Sequence, residues 1–293
     1  MTFLKRLLLF FVVNFLVLTT ITFIIQMLGL DQSLGFSTQA LFIFCLLYGS
    51  LGSFISLLLS KRIVRWIMRI KMIPSNTHVE SEKQLYAMVE NLSKKAGLKS
   101  VPEIGIFQSP EMNAFATGPS KNNSLVAISS GLLENMDTKK IEAILGHEMG
   151  HIVNGDMVTM ALIQGIINAF VMFFARIFAH VVLSGRNNRG RVNPWGYYLL
   201  VQLFQFVFAL LGFMIVAGFS RRREYRADKK GAEFTSKEQM IGALEHLKTS
   251  VEDRQLNHAS VNAFKIHTRV KWLEFLSTHP PLDKRIQALK AGF

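Results

Sequence analysis

Cysteine is nearly absent from this chain. Cys45 is the sole thiol in 293 residues, which excludes a disulfide framework. It lies inside an apolar run, where burial disfavours the thiolate, so it is no candidate nucleophile. Charge is scarce as well: 18% of residues are Asp, Glu, Lys or Arg, against 50% hydrophobic. That balance is too apolar for an ordinary soluble domain and points to an integral membrane protein. Acid is the scarcer sign, with 20 carboxylates to 33 Lys and Arg and a net charge of +13. Basic segments interleaved with aromatics are missing, so no nucleic-acid partner is expected. The basic excess reads instead as loops on the cytoplasmic side of a bilayer.

Four long stretches lack all four charged residue types: Leu7–Leu30, Gln32–Ser60, Met157–Ala175 and Val192–Ser220. Each is long enough to cross a hydrocarbon core as a helix. The first opens with Lys5 and Arg6, as a signal peptide does, but its apolar run is too long and no small-x-small cleavage site closes it. It reads as a retained anchor. Lys61, Arg62, Arg65, Arg69 and Lys71 follow the second stretch, and Arg221, Arg222 and Arg223 follow the fourth. Both clusters suit positive-inside loops. Arg186, Arg189 and Arg191 fall between the third and fourth stretches, on the side the rule makes external. A shallow hairpin that does not cross fully is one resolution of that conflict.

The expected organisation follows. Residues 1–60 hold two transmembrane helices, 61–156 a cytoplasmic part, 157–220 a transmembrane or membrane-embedded hairpin, and 221–293 a second cytoplasmic part. Thr77 and Glu80 have capping-box spacing ahead of a helix ending near Gly97. Val101–Phe107 and Ser124–Ser129 are rich in Val and Ile and read as strands, with Asn113–Gly118 a short strand or edge between them. Asp137 suits the cap of a helix that presents Ile141, Ile144, Leu145 and Ile152 on one face.

That helix carries His147-Glu148-Met149-Gly150-His151, an H-E-x-x-H motif. Helical spacing at i and i+4 points both imidazoles the same way, so they can share one Zn²⁺. Glu148 lies beside them, placed to take a proton from a water that the metal has acidified. A bland alternative is a helix with two solvated histidines. A third ligand candidate argues against it, because catalytic zinc takes three protein ligands and keeps one position open. "RRREYRAD" offers Glu224 to complete a His₂Glu set, and Asp228 one turn later to hold the outer nitrogen of a ligand histidine. Two membrane stretches, an even number, lie between His151 and Glu224, so both return to the same side. His78, His180, His246, His258 and His267 have no ligand spacing.

"GHEMGHIVNGD", "REYRAD", "NAFATG" and "THPPLDKRI" together resemble the HtpX-type membrane-bound zinc metalloproteases of bacteria, kin of the eukaryotic CAAX prenyl proteases. The resemblance runs nearly end to end. It implies a mainly α integral membrane protein, with four hydrophobic helices and a cytoplasmic α+β zincin-like domain containing a small sheet. It places the family's E-x-x-x-D signature on Glu224 and Asp228, and its substrate-contacting edge strand on Asn113, Ala114, Phe115 and Ala116. It implies that His279 and Arg285 face the zinc cleft and stabilise the oxyanion, which suits the developing negative charge of peptide hydrolysis. The residues alone leave open a surface histidine and an ordinary basic helix. An exposed edge can take substrate as an added β-strand, although exposed edges are often simply blunted.

The function expected is a zinc endopeptidase of the bacterial inner membrane, its active site facing the cytoplasm, cutting misfolded or damaged membrane proteins under stress. A prenyl-peptide protease and a non-catalytic membrane chaperone or adaptor are the alternatives. The first needs an enclosed chamber that four spans are too few to build; the second has no need of the general base Glu148. His151 stands six residues before Met157, where the apolar run begins. At ~1.5 Å per helical residue the metal motif therefore lies within about two turns of the lipid boundary, which favours polypeptides in, or emerging from, the bilayer.

Overall fold

A computed structural model describes residues 38–186, 194–257 and 277–292. The chain divides into two compact units, one within Met1–Ser56 and Met160–Gly218, the other within Leu57–Thr159 and Phe219–Phe293. Elements are numbered along the described residues.

Three of the four expected apolar helices are described: α1 (Thr38–Ile67), α5 (Asp156–Arg186) and α6 (Pro194–Phe234). The first expected span, Leu7–Leu30, lies outside the described residues. Candidate spans within these helices cover Gln39–Ile67, Asp156–Leu183 and Trp195–Phe234. The shortest has 28 residues, enough for a ~30 Å core at ~1.5 Å per residue, so length does not require the shallow hairpin. All three run past the C-terminal ends of the charge-free stretches that announced them. Loss of charge marks where lipid is tolerated, whereas backbone hydrogen bonding carries a helix on through polar residues.

In the first unit the helices meet through small residues. A Cβ added at Gly49 would stand 2.5 Å from the Ala169 backbone nitrogen, and one at Gly165 would stand 3.1 Å from Ser50 Cα. Close backbone approach of this kind is how helices pack where lipid removes the hydrophobic drive. Cys45 is fully buried among Leu41, Val171 and Met172. Leu47, Leu51, Val181, Leu199 and Leu211 point outward and are exposed, as lipid-facing residues are.

The second unit is α+β. Its sheet has the order β1-β2-β4-β3, built from β1 (Lys71–Ile73), β2 (Glu103–Phe107), β3 (Ala114–Ser120) and β4 (Asn123–Ser129). β2 and β4 pair in parallel at the centre, while β1 and β3 are antiparallel edges. Leu125, Val126, Ala127 and Ile128 of β4 are all fully buried, the continuous apolar run of a strand covered on both faces. Gly118, at φ 143°, marks an irregularity in the β3–β4 register; a Cβ there would meet Asn123 O at 2.3 Å.

α2 (Glu80–Lys95), α3 (Ser130–Asn135), α4 (Thr138–Asn154), α7 (Lys237–Asn257) and α8 (Leu282–Ala291) complete this unit. Ile141, Leu145, Met149 and Ile152 of α4 share a core with Ile104, Val126 and Ile128 of the sheet and Leu85, Val89 and Leu92 of α2. One sequence expectation needs correction, and one element was not foreseen. The Thr77–Glu80 capping box does not form: Val79 is the N-cap and makes no side-chain cap bond. The Thr77 hydroxyl instead donates to Glu82, 2.6 Å away, and Lys71 binds the same carboxylate at 2.7 Å. The carboxylate two residues further on thus gains a cation and a hydroxyl together, which capping would not provide. Strand β1 went unforeseen because three residues are too few to show alternation.

Candidate metal centre

The H-E-x-x-H segment is fixed by both ends of its helix. At the N-terminus Asp137 caps α4, its side chain accepting from the Lys140 N–H at 3.0 Å. At the C-terminus Gly155 adopts the left-handed conformation, φ 70°, which a side chain would strain. α5 begins at the next residue, Asp156.

Glu224 and Asp228 lie in the last turns of α6, one turn apart. Glycine lets α4 and α6 approach. A Cβ at Gly150 would meet Ala227 O at 2.9 Å, and one at Gly231 would meet the His147 backbone nitrogen at 3.0 Å. Through this seam His147, His151 and Glu224 come together, all buried and each with a ligand atom within 4.8 Å of the others. The two Nε2 atoms are 3.2 Å apart. His151 Nε2 stands 3.4 Å from Glu224 Oε1, and His147 Nε2 stands 3.6 Å from Glu224 Oε2. Tetrahedral ligands ~2.0–2.1 Å from a zinc ion stand ~3.3–3.4 Å from one another, so the triangle has the right size.

The outer ring nitrogens test the fit further. His147 Nδ1 is 2.8 Å from Asp228 Oδ1, and His151 Nδ1 is 2.6 Å from Asp156 Oδ2. A ring whose Nδ1–H donates to a carboxylate carries its lone pair on Nε2. Two lone pairs then face one another beside Glu224 Oε1, a buried oxygen that no well-aligned donor reaches among the described residues. Such a donor set calls for a cation. Burial pushes the His147 imidazole down, but hydrogen bonds to Asp228 and Glu224 overcome this and raise it from 6.5 to about 9. His151 is also raised, its burial outweighed by Asp156 and Glu224.

Glu148 is buried on α4 beside this triangle. His279 and Arg285 both reach the site, in different surroundings. His279 is 56% exposed, with Nδ1 2.8 Å from Glu224 Oε2. Arg285, on α8, is 7% exposed. Its Nε and Nη2 donate to the two oxygens of Asp228 at 2.7 and 2.5 Å, and Nη1 lies 3.6 Å from Glu224 Oε2. The guanidinium thus faces the carboxylates of Asp228 and Glu224. Ala114, Phe115 and Ala116 lie on β3, which pairs with β4 alone among the described strands. Asn113 immediately precedes it, exchanging hydrogen bonds with Ser129: its N–H donates to Oγ, and its carbonyl accepts from the Ser129 N–H, both at 2.9 Å. Asp156 is the site neighbour that sequence reasoning missed. Its signal is the Gly155 corner, which turns an acid five residues past His151 back toward that ring.

Comparison with known proteins agrees with this constellation. Residues 80–292 match the family described as Peptidase family M48. Protease HtpX homolog from Bacillus subtilis is 43% identical, covering 98% of this chain and 99% of its own. Protease HtpX from Shewanella pealeana is 41% identical over the same shares. The chain belongs to peptidase family M48, on its HtpX branch. Crystallised S. mikatae Ste24p shares the fold, at a TM-score of 0.58 and 19% identity, over 92% of this chain and 66% of that one. As an M48 peptidase with three span-length helices among its described residues, the protein is a membrane-bound metalloprotease. It acts on polypeptides and resides in a lipid bilayer.

Proposed function

We propose that this M48 peptidase is a zinc endopeptidase, one ion per chain, which cuts misfolded or damaged membrane proteins at the cytoplasmic face of a bacterial inner membrane. The observation that carries the chemistry is the buried triangle of His147 Nε2, His151 Nε2 and Glu224, with Glu148 next to it on α4. His147, His151 and Glu224 hold the ion. A zinc ion bound there supplies Lewis acidity, polarising the scissile carbonyl and acidifying the attacking water. Glu148 accepts the proton of that water and returns it to the leaving amine nitrogen. Asp228 holds the His147 ring in the tautomer that offers Nε2. His279, the exposed member of the set, stabilises the oxyanion. Arg285 acts through Asp228, whose carboxylate it clamps. The edge of β3 that pairs with no described strand, from Asn113 through Ala116, takes the substrate as an added strand, so main-chain hydrogen bonds supply affinity without sequence preference. The cytoplasmic orientation rests on Lys5 and Arg6 and on the basic clusters at 61–71 and 221–223.

The deciding experiment uses the full chain with Glu148→Ala. The variant is expected to keep wild-type metal content and to lose cleavage of an unfolded membrane protein. Full cleavage by that variant would sink the mechanism. A wild-type protein that binds metal yet cleaves nothing would favour a chaperone or adaptor instead.

A further inference from the structure

We propose that Asp156 is a second positioning residue of the metal centre, fixing His151 as Asp228 fixes His147; this rests on the metal-site reading above. An acid in the first turn of a helix ordinarily needs no special role, since it complements the helix dipole. Asp156 departs from that pattern in two ways. It is 2% exposed, where a dipole-complementing carboxylate would keep its water. And its Oδ2 stands 2.6 Å from His151 Nδ1, on the ring nitrogen opposite the Nε2 that faces His147 and Glu224. The geometry assigns the Nδ1 proton to this hydrogen bond and leaves Nε2 as the ligand atom.

The two imidazoles are thus held from behind by two carboxylates of different origin. Asp228 comes from α6 and is itself clamped by the buried Arg285. Asp156 comes from α5, across the Gly155 corner, and its other oxygen lies 3.8 Å from the exposed Arg226 Nη2. The His151 arm therefore depends on the Gly155–Asp156 join, and a carboxylate is needed there rather than any helix-starting residue.

The test uses the full chain in detergent, stripped of metal and titrated with zinc against a chromophoric chelator. Asp156→Ala is expected to weaken zinc binding roughly 10–100-fold, the usual effect of losing such a partner. Asp156→Asn keeps the size and an acceptor oxygen but no charge, so it should fall between Ala and wild type. It should also melt near the wild type when metal-free. Cobalt-loaded Asp156→Ala should show shifted visible bands as the His151 ring turns, a signature that a mere helix-starting role would not move. Wild-type zinc affinity and an unchanged cobalt spectrum in both variants overturn the proposal. Glu224→Gln serves as the reference: if it loses the metal while the Asp156 variants do not, the metal-site reading stands and Asp156 has no part in it. If Glu224→Gln also binds zinc like the wild type, the metal-site reading itself fails.

Discussion

Replacing Gly150 by Ala adds one methyl group where α4 and α6 pack tightly against each other. The new Cβ would stand 2.9 Å from Ala227 O, 3.1 Å from Ala227 Cα and 3.1 Å from Lys230 Cβ. Two of these atoms are backbone and cannot rotate away. Ordinary contact begins at 3.4 Å, so relief requires the helices to part by about half an ångström at that level. Overpacking of this kind costs roughly 1–3 kcal/mol, while replacing Gly in a helix interior returns ~1 kcal/mol. The net expectation is a metal-free protein up to ~2 kcal/mol less stable. Function should suffer more than stability. The His-to-Glu224 edges of 3.4 and 3.6 Å would widen by a similar half ångström, the tolerance at which a catalytic constellation is ~0.5 Å too loose. Cleavage is expected to fall about ten-fold or more, and zinc affinity with it. Gly242→Ala is the control, because an added Cβ there meets nothing within 4 Å; it should stabilise α7 by ~1 kcal/mol with activity unchanged. Thermal melting, chelator competition and cleavage rates on the three proteins decide the matter. If Gly150→Ala stabilises as Gly242→Ala does and binds zinc as tightly as wild type, the seam does not set the ligand distance.

Glu224→Gln should cost the metal itself, read as metal content after dialysis; unchanged content would refute its role as ligand. Arg285→Met leaves buried Asp228 with only His147 of its two partners, so it should destabilise the fold by roughly 1.5–3 kcal/mol in thermal or chemical unfolding. A large loss of kcat with unchanged stability would show instead that Arg285 serves the oxyanion. Zinc binding at pH 7.5 should release roughly one proton, since the ion must displace the one held by His147, raised to about 9. Calorimetry in buffers of different ionisation heat measures this, and zero release contradicts a protonated His147 in the metal-free protein. The sign follows from His147, raised from 6.5 to about 9. In the metal-free protein its protonated form stabilises the fold fully below pH 6.5 and loses that effect as pH rises through about 9, while zinc affinity climbs over the same window.

The chemistry of this protein was legible because its motifs are local. His147, Glu148 and His151 share one helix, and so do Glu224 and Asp228, so 3.6-residue periodicity alone fixes which side chains lie together. Apolar runs announce membrane helices for a similar reason: lipid tolerates few charges over a fixed thickness. Asp137 showed its cap, and the face Ile141, Ile144, Leu145 and Ile152 showed its core. Where the sequence failed, the partner lay off the element. Thr77 chose Glu82 over Glu80 because Lys71, on a strand nine residues behind the helix, offered that carboxylate a second partner. Asp156 could not be assigned by periodicity, because a left-handed glycine breaks the helix between it and His151. The residues alone left Arg285 open between the zinc cleft and an ordinary basic helix, whereas α8 buries it against Asp228. Composition and spacing by themselves pointed to a membrane protein with a metal-binding motif, and the resemblance of its motifs to a known family implied the protease. Tertiary structure decided which carboxylate stands behind each histidine, and how closely α4 approaches α6. The reason is physical: side chains on one helix are related by a fixed rotation, but the distance between two helices is set only by what packs between them, and here that is glycine.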